Sequence, residues 1–348
     1  FKSLKKGGLY VVEDLDFPDT RKDMNLHNEK PTLKNILEKI KNNEDFKSRY
    51  VLDKEKLYFL SNLESIDIFN GKYNQIAFIK KKSKSNLDIY CVTNKRLPHI
   101  ENANYKLVGA SQNTFPENYI NCNSGINIFE KEVYYSELTF HYWYWKNILN
   151  TKNSNWVGFC QKRRFWIKSN TDKNKININN ISQYILNDPE NDWEKYESII
   201  CEPISINGAK KVKMLKRGWR DLIKKPSIFF DKSKENILFH FNMHHGHGNL
   251  EKAIEVMHKK DKQDFIDYVN NNTYFNPHIM VISKNIILDK WFNDLFTWLH
   301  KCESIFGFKK LSGYDTGRIY AYLAERYLSF WFKKYTKFKE HSWFFLDY

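Results

Sequence analysis

The chain has 348 residues and a net charge of +15, and 41% of its residues are hydrophobic and 28% charged. This is enough apolar material for one large or two modest folded domains, so the composition excludes a disordered or fibrous protein. Lys, Asn or Asp interrupts every aromatic run before it reaches the roughly 18 to 20 apolar residues that a spanning helix needs. The first residues do not have the pattern of an export signal, and we expect a cytoplasmic protein.

The basic residues are 47 lysines and only 9 arginines. Such a lysine surplus scatters over solvated surfaces, whereas a nucleic-acid-binding protein concentrates its cations on one element, so we expect no nucleic-acid partner. The five cysteines lack C-x-x-C spacing, and we expect them to be reduced and mostly buried. Six arginines fall into three close sets, where we expect anion chemistry: Arg163 with Arg164, Arg217 with Arg220, and Arg318 with Arg326.

Residues 1–85 are patterned as a small unit of strands and one helix. We predict a strand at LYVVEDL, a helix over residues 32–46, and two strands, SIDIF and IAFIKK, joined across Asn70-Gly71. The run LKKGGLYVVED and the closing hairpin resemble the last third of a class I S-adenosylmethionine-dependent methyltransferase. That family's first strand and Gly-rich turn, which hold its cofactor, have no counterpart here. We therefore expect a partial, Rossmann-like methyltransferase tail that does not bind the methyl donor, within a longer protein.

Residues 80–86, KKKSKSN, form a charged junction, so we place a domain boundary between residues 1–85 and 86–348. The second domain alternates strands with helices, which predicts an α/β fold. The predicted strands are LDIYCVTN, YKLVGAS, WVGFCQK, ESIICEP and HIMVIS. The predicted helices cover residues 133–149, 250–271, 288–305 and 315–338.

Three ordered motifs carry a family resemblance in the second domain. They are Glu137-Leu138-Thr139, then YWYWKN at residues 142–147, then GFCQKRR at residues 158–164. They resemble the E-L-T, Y-W-x-W-K-N and G-x-x-H-Y-R-R motifs of a capsular-polysaccharide glycosyltransferase family long catalogued as a domain of unknown function. The resemblance extends over about residues 87–340, although Gln161-Lys162 replaces the family's His-Tyr. It implies a GT-A-like nucleotide-sugar transferase domain.

The residues themselves agree with phosphate binding. A sugar transferase must neutralise the departing diphosphate, either through a metal held by carboxylates or through fixed cations. Where GT-A enzymes place Asp-x-Asp after a core strand, this chain has Lys162, Arg163 and Arg164. We therefore predict diphosphate binding without a metal or a tightly bound cofactor. The alternative for one arginine is an ion pair with a carboxylate such as Glu137.

Further donor-binding candidates lie at element ends. Asn94 and Lys95 end the first strand of the second domain, where α/β sheets bind nucleotides, although a polar turn is the alternative. Lys146 and Asn147 end the first long helix and could instead cap it. The resemblance adds three positions, in its N-M-F-I and G-Y-x-x-R segments: Asn276, His278 and Arg318.

A transferase also needs a base for the attacking hydroxyl. Asp315, before a predicted helix, is the first candidate, and N-capping is its alternative role. The segment FHFNMHHGHGN reads as a Gly-rich loop in which His244 or His247 could take the proton, and its spacing does not suit a metal. Glu325 and Arg326 are expected to form a buried ion pair.

The resulting hypothesis is a hexosyltransferase that moves a sugar from a UDP-sugar, pyranose or furanose, to a capsular or surface polysaccharide, with inversion. Its partners would be the nucleotide-sugar and an oligosaccharide or lipid-linked glycan acceptor. The basic, aromatic residues 327–348 could contact the inner face of the membrane, or pack against the domain. A methyltransferase acting on capsule sugars and a non-catalytic carbohydrate- or nucleic-acid-binding module are the alternatives.

Overall fold

The structure is a computed structural model that describes residues 1–348 except 2, 5, 6, 43, 53, 54, 57, 58, 60–62, 82–86, 102, 152–154 and 348. The chain divides into two compact units, Phe1–Ser85 and Asn86–Tyr348. Most of the charged junction expected at residues 80–86 lies outside the described residues. The two units are treated separately below.

The first unit is a three-stranded antiparallel sheet with short helices. Its elements are β1 (Leu9–Val12), α1 (Phe17–Thr20), a 3₁₀ turn (Lys22–Met24), α2 (Leu33–Lys41), β2 (Leu63–Asn70) and β3 (Gln75–Lys81). The order β1-β3-β2 places β3 in the middle. Thr32 caps the start of α2, because its hydroxyl accepts a hydrogen bond from the backbone N–H of Asn35. The helix ends at Lys41, earlier than the sequence predicts. The strand and hairpin predictions are confirmed.

The second unit is built on one mixed sheet. Its strands are β4 (Leu87–Thr93), β5 (Tyr105–Gly109), β6 (Ile120–Asn121), β7 (Trp156–Gln161), β8 (Arg164–Trp166), β9 (Ser198–Cys201), β10 (Ile204–Ser205), β11 (Tyr274–Phe275), β12 (Val281–Lys284), β13 (Phe338–His341) and β14 (Trp343–Phe345). The main order is β13-β9-β12-β7-β4-β5-β6, in which β7, β4, β5 and β6 are parallel and β12 runs antiparallel between β9 and β7. Strands β8 and β14 pair beside the end of β7, and β10 pairs with β11 separately.

Helices cover this sheet. They are α3 (Glu132–Tyr135), α4 (Leu138–Asn147), α5 (Ile181–Tyr184), α6 (Lys211–Arg217), α7 (Trp219–Lys224), α8 (Ile237–His245), α9 (Asn249–Glu255), α10 (Lys259–Asn271), α11 (Asn285–Phe306), α12 (Gly313–Gly317) and α13 (Ile319–Tyr335). Single 3₁₀ turns lie at Pro98–Ile100, Phe129–Lys131, Lys173–Lys175, Trp193–Lys195, Pro226–Phe229 and Lys232–Lys234.

The sheet separates two hydrophobic cores. Along β4, Tyr90 and Val92 face a large core with the helices, while Ile89 and Cys91 face a second core on the other side. Successive side chains of a strand point to opposite faces, so a continuous apolar strand can fill both cores. The α/β prediction is confirmed, and all five cysteines are free and buried.

Several predicted helices are interrupted in the structure. The helix expected over residues 133–149 breaks at Ser136, whose φ is 52°, and the helix expected over 315–338 breaks at Arg318 and ends at Tyr335. The helix expected over 250–271 is divided between α9 and α10. These predictions were wrong in their continuity because hydrophobic periodicity persists across a short break.

The structure also decides the form of the histidine-rich segment and of the C-terminal segment. The histidine-rich FHFNMHHGHGN was predicted to be a loop, but it forms most of α8, then a turn at Gly246 and Gly248, both with positive φ, and the start of α9. In residues 327–347 the end of α13 is buried and the chain continues into β13 and β14, so this segment packs against the domain, which was one of its two alternatives. No helix among the described residues is both long and apolar enough to cross a membrane.

Candidate functional site

A polar hollow of about 510 Å³ lies where the parallel strands end. Thr93 is the last residue of β4 and Asn94 follows it, and Ala110 follows β5. Gln161 is the last residue of β7, and Lys162 follows it. The carboxyl ends of parallel strands meet at one edge of a sheet, which is the edge where α/β folds bind their ligands. We call this space the strand-end hollow.

Positive charge converges on the strand-end hollow. Lys162, Arg164 and Arg318 line it, and the amino group of Lys162 donates a hydrogen bond to the side-chain oxygen of Asn94. Burial, together with the neighbouring cations Lys95 and Arg318, holds the pKa of Lys162 below its usual value. An anion in the hollow would relieve this repulsion.

One hydrogen-bonding group of Arg164 lacks a partner. Its Nη1 donates to the side-chain oxygen of Gln161 at 3.3 Å, whereas its Nε is buried and has no hydrogen-bond partner among the described residues. Buried polar groups without a partner are rare in native proteins, because each costs the desolvation of the group. This Nε is an unsatisfied donor inside the protein, while Arg164 also contributes to the lining of the strand-end hollow.

Gln161 connects the strand-end hollow to Glu137 at the start of α4. Its amide nitrogen donates to the Glu137 carboxylate and, at 2.7 Å, to the carbonyl oxygen of His278. Burial raises the pKa of Glu137. Gln161, and not an arginine, thus contacts Glu137, whereas the alternative of an ion pair with a carboxylate holds for Arg163, whose partner is Asp347.

A second hollow, of about 700 Å³, adjoins the first and shares Ser136, Glu137, Gln161, Arg164 and Arg318 with it. We call it the helix hollow because its remaining lining comes largely from the helices. Those remaining residues are His245, His278, Ile279, Tyr314, Ala321, Tyr322 and Glu325.

Glu325 lines the helix hollow and does not line the strand-end hollow. It is paired with Arg326, whose side chain is 2% exposed, and accepts a hydrogen bond at 2.7 Å from the backbone N–H of His278. Burial by itself would raise the pKa of Glu325, but Arg326 and His278 hold it below its usual value. The expected buried ion pair is confirmed, and its carboxylate also faces the hollow.

The other donor-binding candidates lie outside both hollows. Arg163 pairs with Asp347 and lies over the ring of Phe345. Asn276 is fully buried, where its amide donates to the carbonyl oxygen of Cys201 at 2.6 Å. These contacts hold the chain together, and neither side chain points into the cationic space.

The end of α4 also lies outside the hollows. Lys146 lies over the ring of Trp145, with its Nζ 3.2 Å from the ring centre. Asn147 accepts a hydrogen bond from the backbone N–H of Ile126 and donates to the carbonyl oxygen of the same residue. Asn147 also donates to the carbonyl oxygen of Trp143 at 2.8 Å, so it secures a loop and, as the capping alternative expects, contacts the last turn of α4.

The three candidate catalytic residues lie around the helix hollow and not within its lining. Asp315, whose side chain is 48% exposed, pairs with Arg217 at 3.1 Å. His247 Nδ1 lies 3.1 Å from Asp221, and His244 stacks on His240 with ring centres 4.5 Å apart. Burial, with Lys213 and Arg217 nearby, lowers the pKa of His244 to about 4.

The structure adds lining residues that sequence reasoning did not select: Glu132, Ser136, Gln161, His245, Tyr314 and Tyr322. His245 stacks on Tyr322 at 3.8 Å between ring centres, and burial lowers its pKa to about 3. The histidine-rich segment indicated that this region could be functional. Only its helical conformation shows which histidine ring faces the hollow. Among the described residues, no group of three or more His, Cys, Asp or Glu side chains is placed to hold a metal ion.

Comparison with known proteins supports this fold. The family model described as Domain of unknown function (DUF4422) matches residues 88–337, so the chain belongs to that family. No curated protein matches the chain. The chain is similar to the apo structure of the bifunctional glycosyltransferase WbbM, with 19% sequence identity and a TM-score of 0.52 over 75% of this chain. It spans 45% of that structure's chain, and at this identity the similarity shows the fold alone: a mixed α/β fold like that of a glycosyltransferase structure.

Proposed function

We propose that the second unit is a glycosyltransferase that moves a sugar from a nucleotide-sugar to a glycan acceptor. The observation that carries the proposal is the convergence of Lys162, Arg164 and Arg318 at the ends of parallel strands, next to a hollow that contains Glu325. The first space suits a diphosphate, and the second suits the sugar and the acceptor. The fold shared with a glycosyltransferase structure agrees with this assignment.

The cations would stabilise the leaving group. When the bond between the anomeric carbon and the phosphate oxygen breaks, negative charge develops on the diphosphate. Guanidinium groups donate forked hydrogen bonds to phosphate oxygens, and Arg164 and Arg318 both line the strand-end hollow. The proposal is that these fixed cations replace a metal ion.

Glu325 is the base that the geometry favours. It lies in the helix hollow, and Arg326 with His278 holds its pKa low, so the carboxylate is ionised at neutral pH. It would accept the proton of the attacking hydroxyl as the sugar is displaced with inversion. Asp315, the first candidate base from the sequence, is the alternative, and it lies at the rim of the helix hollow.

The finer assignments rest on the family resemblance. They are a UDP-hexose donor, pyranose or furanose, a GT-A type of fold, and a capsular or other surface polysaccharide acceptor, oligosaccharide or lipid-linked, at the cytoplasmic face of the membrane. For the first unit we propose the C-terminal part of a methyltransferase-like domain. Its support is that β1, the strand compared with that family's fifth strand, pairs with β3 of the closing hairpin.

Nucleotide binding tests the donor site with an internal control. Thermal shifts would be measured with UDP, CDP, GDP and S-adenosylmethionine, each with and without manganese, on wild type, Arg164→Ala and Arg163→Ala. We expect one nucleoside diphosphate to stabilise wild type and Arg163→Ala without metal. We expect the same nucleotide to bind Arg164→Ala at least about tenfold more weakly. The two arginines are adjacent, so this pair separates a directed contact from a general loss of charge.

Other results would redirect the assignment. Stabilisation only with manganese would contradict metal-independent binding. A response to S-adenosylmethionine alone would favour the methyltransferase alternative. Glycan or nucleic-acid binding without any nucleotide response would favour a binding module.

UDP release from a panel of UDP-hexoses tests the base. We expect Glu325→Gln to lower the rate by about 10²-fold or more while nucleotide binding is retained, and Asp315→Asn to have a smaller effect. The reverse order would place the base at the rim of the hollow.

A further inference from the structure

Residues 210–234 form a surface feature that the proposed catalytic site does not use. We call it the basic lobe; it comprises α6, α7 and the two short turns that follow. Between these limits the chain carries ten lysine and arginine residues and two aspartates. The lobe therefore holds more than half of the net charge of +15 of the whole chain.

The lobe has a defined inner side. Met214 of α6, Leu222 of α7 and Ile228 of the next turn are buried and pack together with Phe239 and Met243 of α8. Three consecutive elements thus face one small core. Phe229 also packs against this core, and most of the remaining side chains are exposed.

The outer side of the lobe is apolar as well as charged. Val212 and Leu215 lie three residues apart on α6, and Trp219 and Ile223 lie four apart on α7, so each pair shares a helix face. These four side chains are between 49% and 71% exposed, and Phe230 is 82% exposed. Large exposed apolar residues concentrated in one segment mark an interaction surface.

The cations surround these apolar residues. All ten are exposed, and within the described part of the chain only two, Arg217 and Lys234, are paired with a carboxylate. Lysines beside exposed aliphatic and aromatic side chains are the pattern of helices that lie in the interface of an anionic bilayer. Nucleic acid would use the cations and Trp219, but it offers no partner for Val212, Leu215 or Ile223.

We propose that the basic lobe binds the surface of an anionic lipid bilayer. Its apolar residues would enter the headgroup region, while the lysines contact lipid phosphates. This surface replaces the C-terminal residues 327–348 as the membrane contact, because those residues are built into the sheet and the core.

The lobe is also connected to the helix hollow. Arg217 pairs with Asp315, next to Tyr314 of the hollow lining, and Asp221 contacts His247 in the turn after α8. If the proposed transferase function holds, a membrane bound by the lobe would present a lipid-linked acceptor near the acceptor side. Membrane binding itself is measured without donor or acceptor, so its failure is distinguishable from failure of the proposed function.

Vesicle flotation tests the proposal on the full chain. The vesicles would be phosphatidylglycerol with phosphatidylcholine, or phosphatidylcholine alone, at low and moderate salt. We expect binding to the anionic vesicles only, weakened by salt, and at least about tenfold weaker for Lys211→Glu with Lys213→Glu and Lys216→Glu. The matched control reverses three exposed lysines elsewhere, Lys301, Lys309 and Lys310, and should bind within about twofold of wild type.

The apolar contacts separate a membrane from other partners. We expect Trp219→Ser with Ile223→Ser to weaken vesicle binding at least about fivefold while leaving binding to a single-stranded oligonucleotide unchanged. Equal vesicle binding by wild type and all lobe variants would overturn the proposal. So would oligonucleotide binding without vesicle binding, or a wild-type dimer that the apolar substitutions dissociate without any vesicle binding.

Discussion

The basic lobe at residues 210–234 and the C-terminal segment at 327–348 have similar compositions and opposite environments. Both combine lysines with tryptophan and phenylalanine. In the C-terminal segment Trp331 and Phe332 are buried against Trp291, whereas Trp219 and Phe230 of the lobe are exposed.

The difference comes from the elements that each segment enters. Helix α13 lies within the large helical core, and β13 continues the sheet by pairing in parallel with β9. The lobe helices are only six or seven residues long and cover a small core of their own. A basic aromatic composition therefore does not show whether a segment is exposed. Exposure depends on the helices and strands against which the segment can pack.

Truncating one aromatic side chain in each segment should give the largest contrast. We expect Phe332→Ala to lower the free energy of unfolding by about 3–5 kcal/mol, because it leaves a cavity in the core, and Trp219→Ala to change it by less than about 0.5 kcal/mol. Urea denaturation measures both. Should Phe332→Ala not fold, Phe332→Leu provides a milder loss, and an equal loss at Trp219 would mean that the lobe is packed in solution.

Replacing one lysine in each segment should give the second-largest difference in stability. Lys334 contacts the fully buried Asp261 at 2.9 Å, and Asp261 raises the pKa of that lysine although burial opposes it. Lys334→Met leaves a buried carboxylate with one charged partner fewer, which should cost about 1–3 kcal/mol. Lys216→Met in the lobe should cost less than about 0.5 kcal/mol in the same chemical denaturation assay. Equal costs would show that the ion pair between Lys334 and the buried Asp261 does not stabilise the fold.

A pH dependence should mark the C-terminal segment with a smaller effect. Burial lowers the pKa of His341, despite Glu190 nearby, so the unfolded chain binds a proton below about pH 6.5 that the folded chain does not. Its contribution to stability is therefore lost as the pH falls through this window. His341→Gln retains a donor for the carbonyl oxygen of Ile167, so the free energy of unfolding should fall less from pH 6.5 to 5.5 than in wild type, by at most about 1 kcal/mol. Parallel curves for the two proteins would show that His341 is not buried in its neutral form.

The core strands could be predicted from the sequence with little error. LDIYCVTN and WVGFCQK contain the apolar runs IYCV and WVGFC followed by polar residues, and the structure has strands at Leu87–Thr93 and Trp156–Gln161. Such runs are buried on both faces, so their pattern hardly depends on the remainder of the fold. Helix continuity was less predictable, because the break at Ser136 depends on packing around a backbone with positive φ.

The candidate site was predictable in part. The polar ends of these strands marked Asn94, Lys162 and Arg164, and the structure brings them together with Arg318 from the distant start of α13. The sequence could not choose between Arg163 and Arg164, because neighbouring residues at a strand point to opposite sides and periodicity does not say which side is enclosed. Pairing of β14 with β8 decides this, since it places Asp347 beside Arg163.

The sequence by itself determined the strands, the two-unit division that its patterning suggests, and the positions of the cations, because these follow from local apolar and polar pattern. Tertiary structure alone decided which charges are enclosed. It turned the histidine run into a helix, placed Glu325 in the lining of the helix hollow, buried the C-terminal aromatics and left those of the basic lobe exposed. The physical reason is that burial depends on contacts between residues far apart in the chain, and the local sequence of each segment does not contain them.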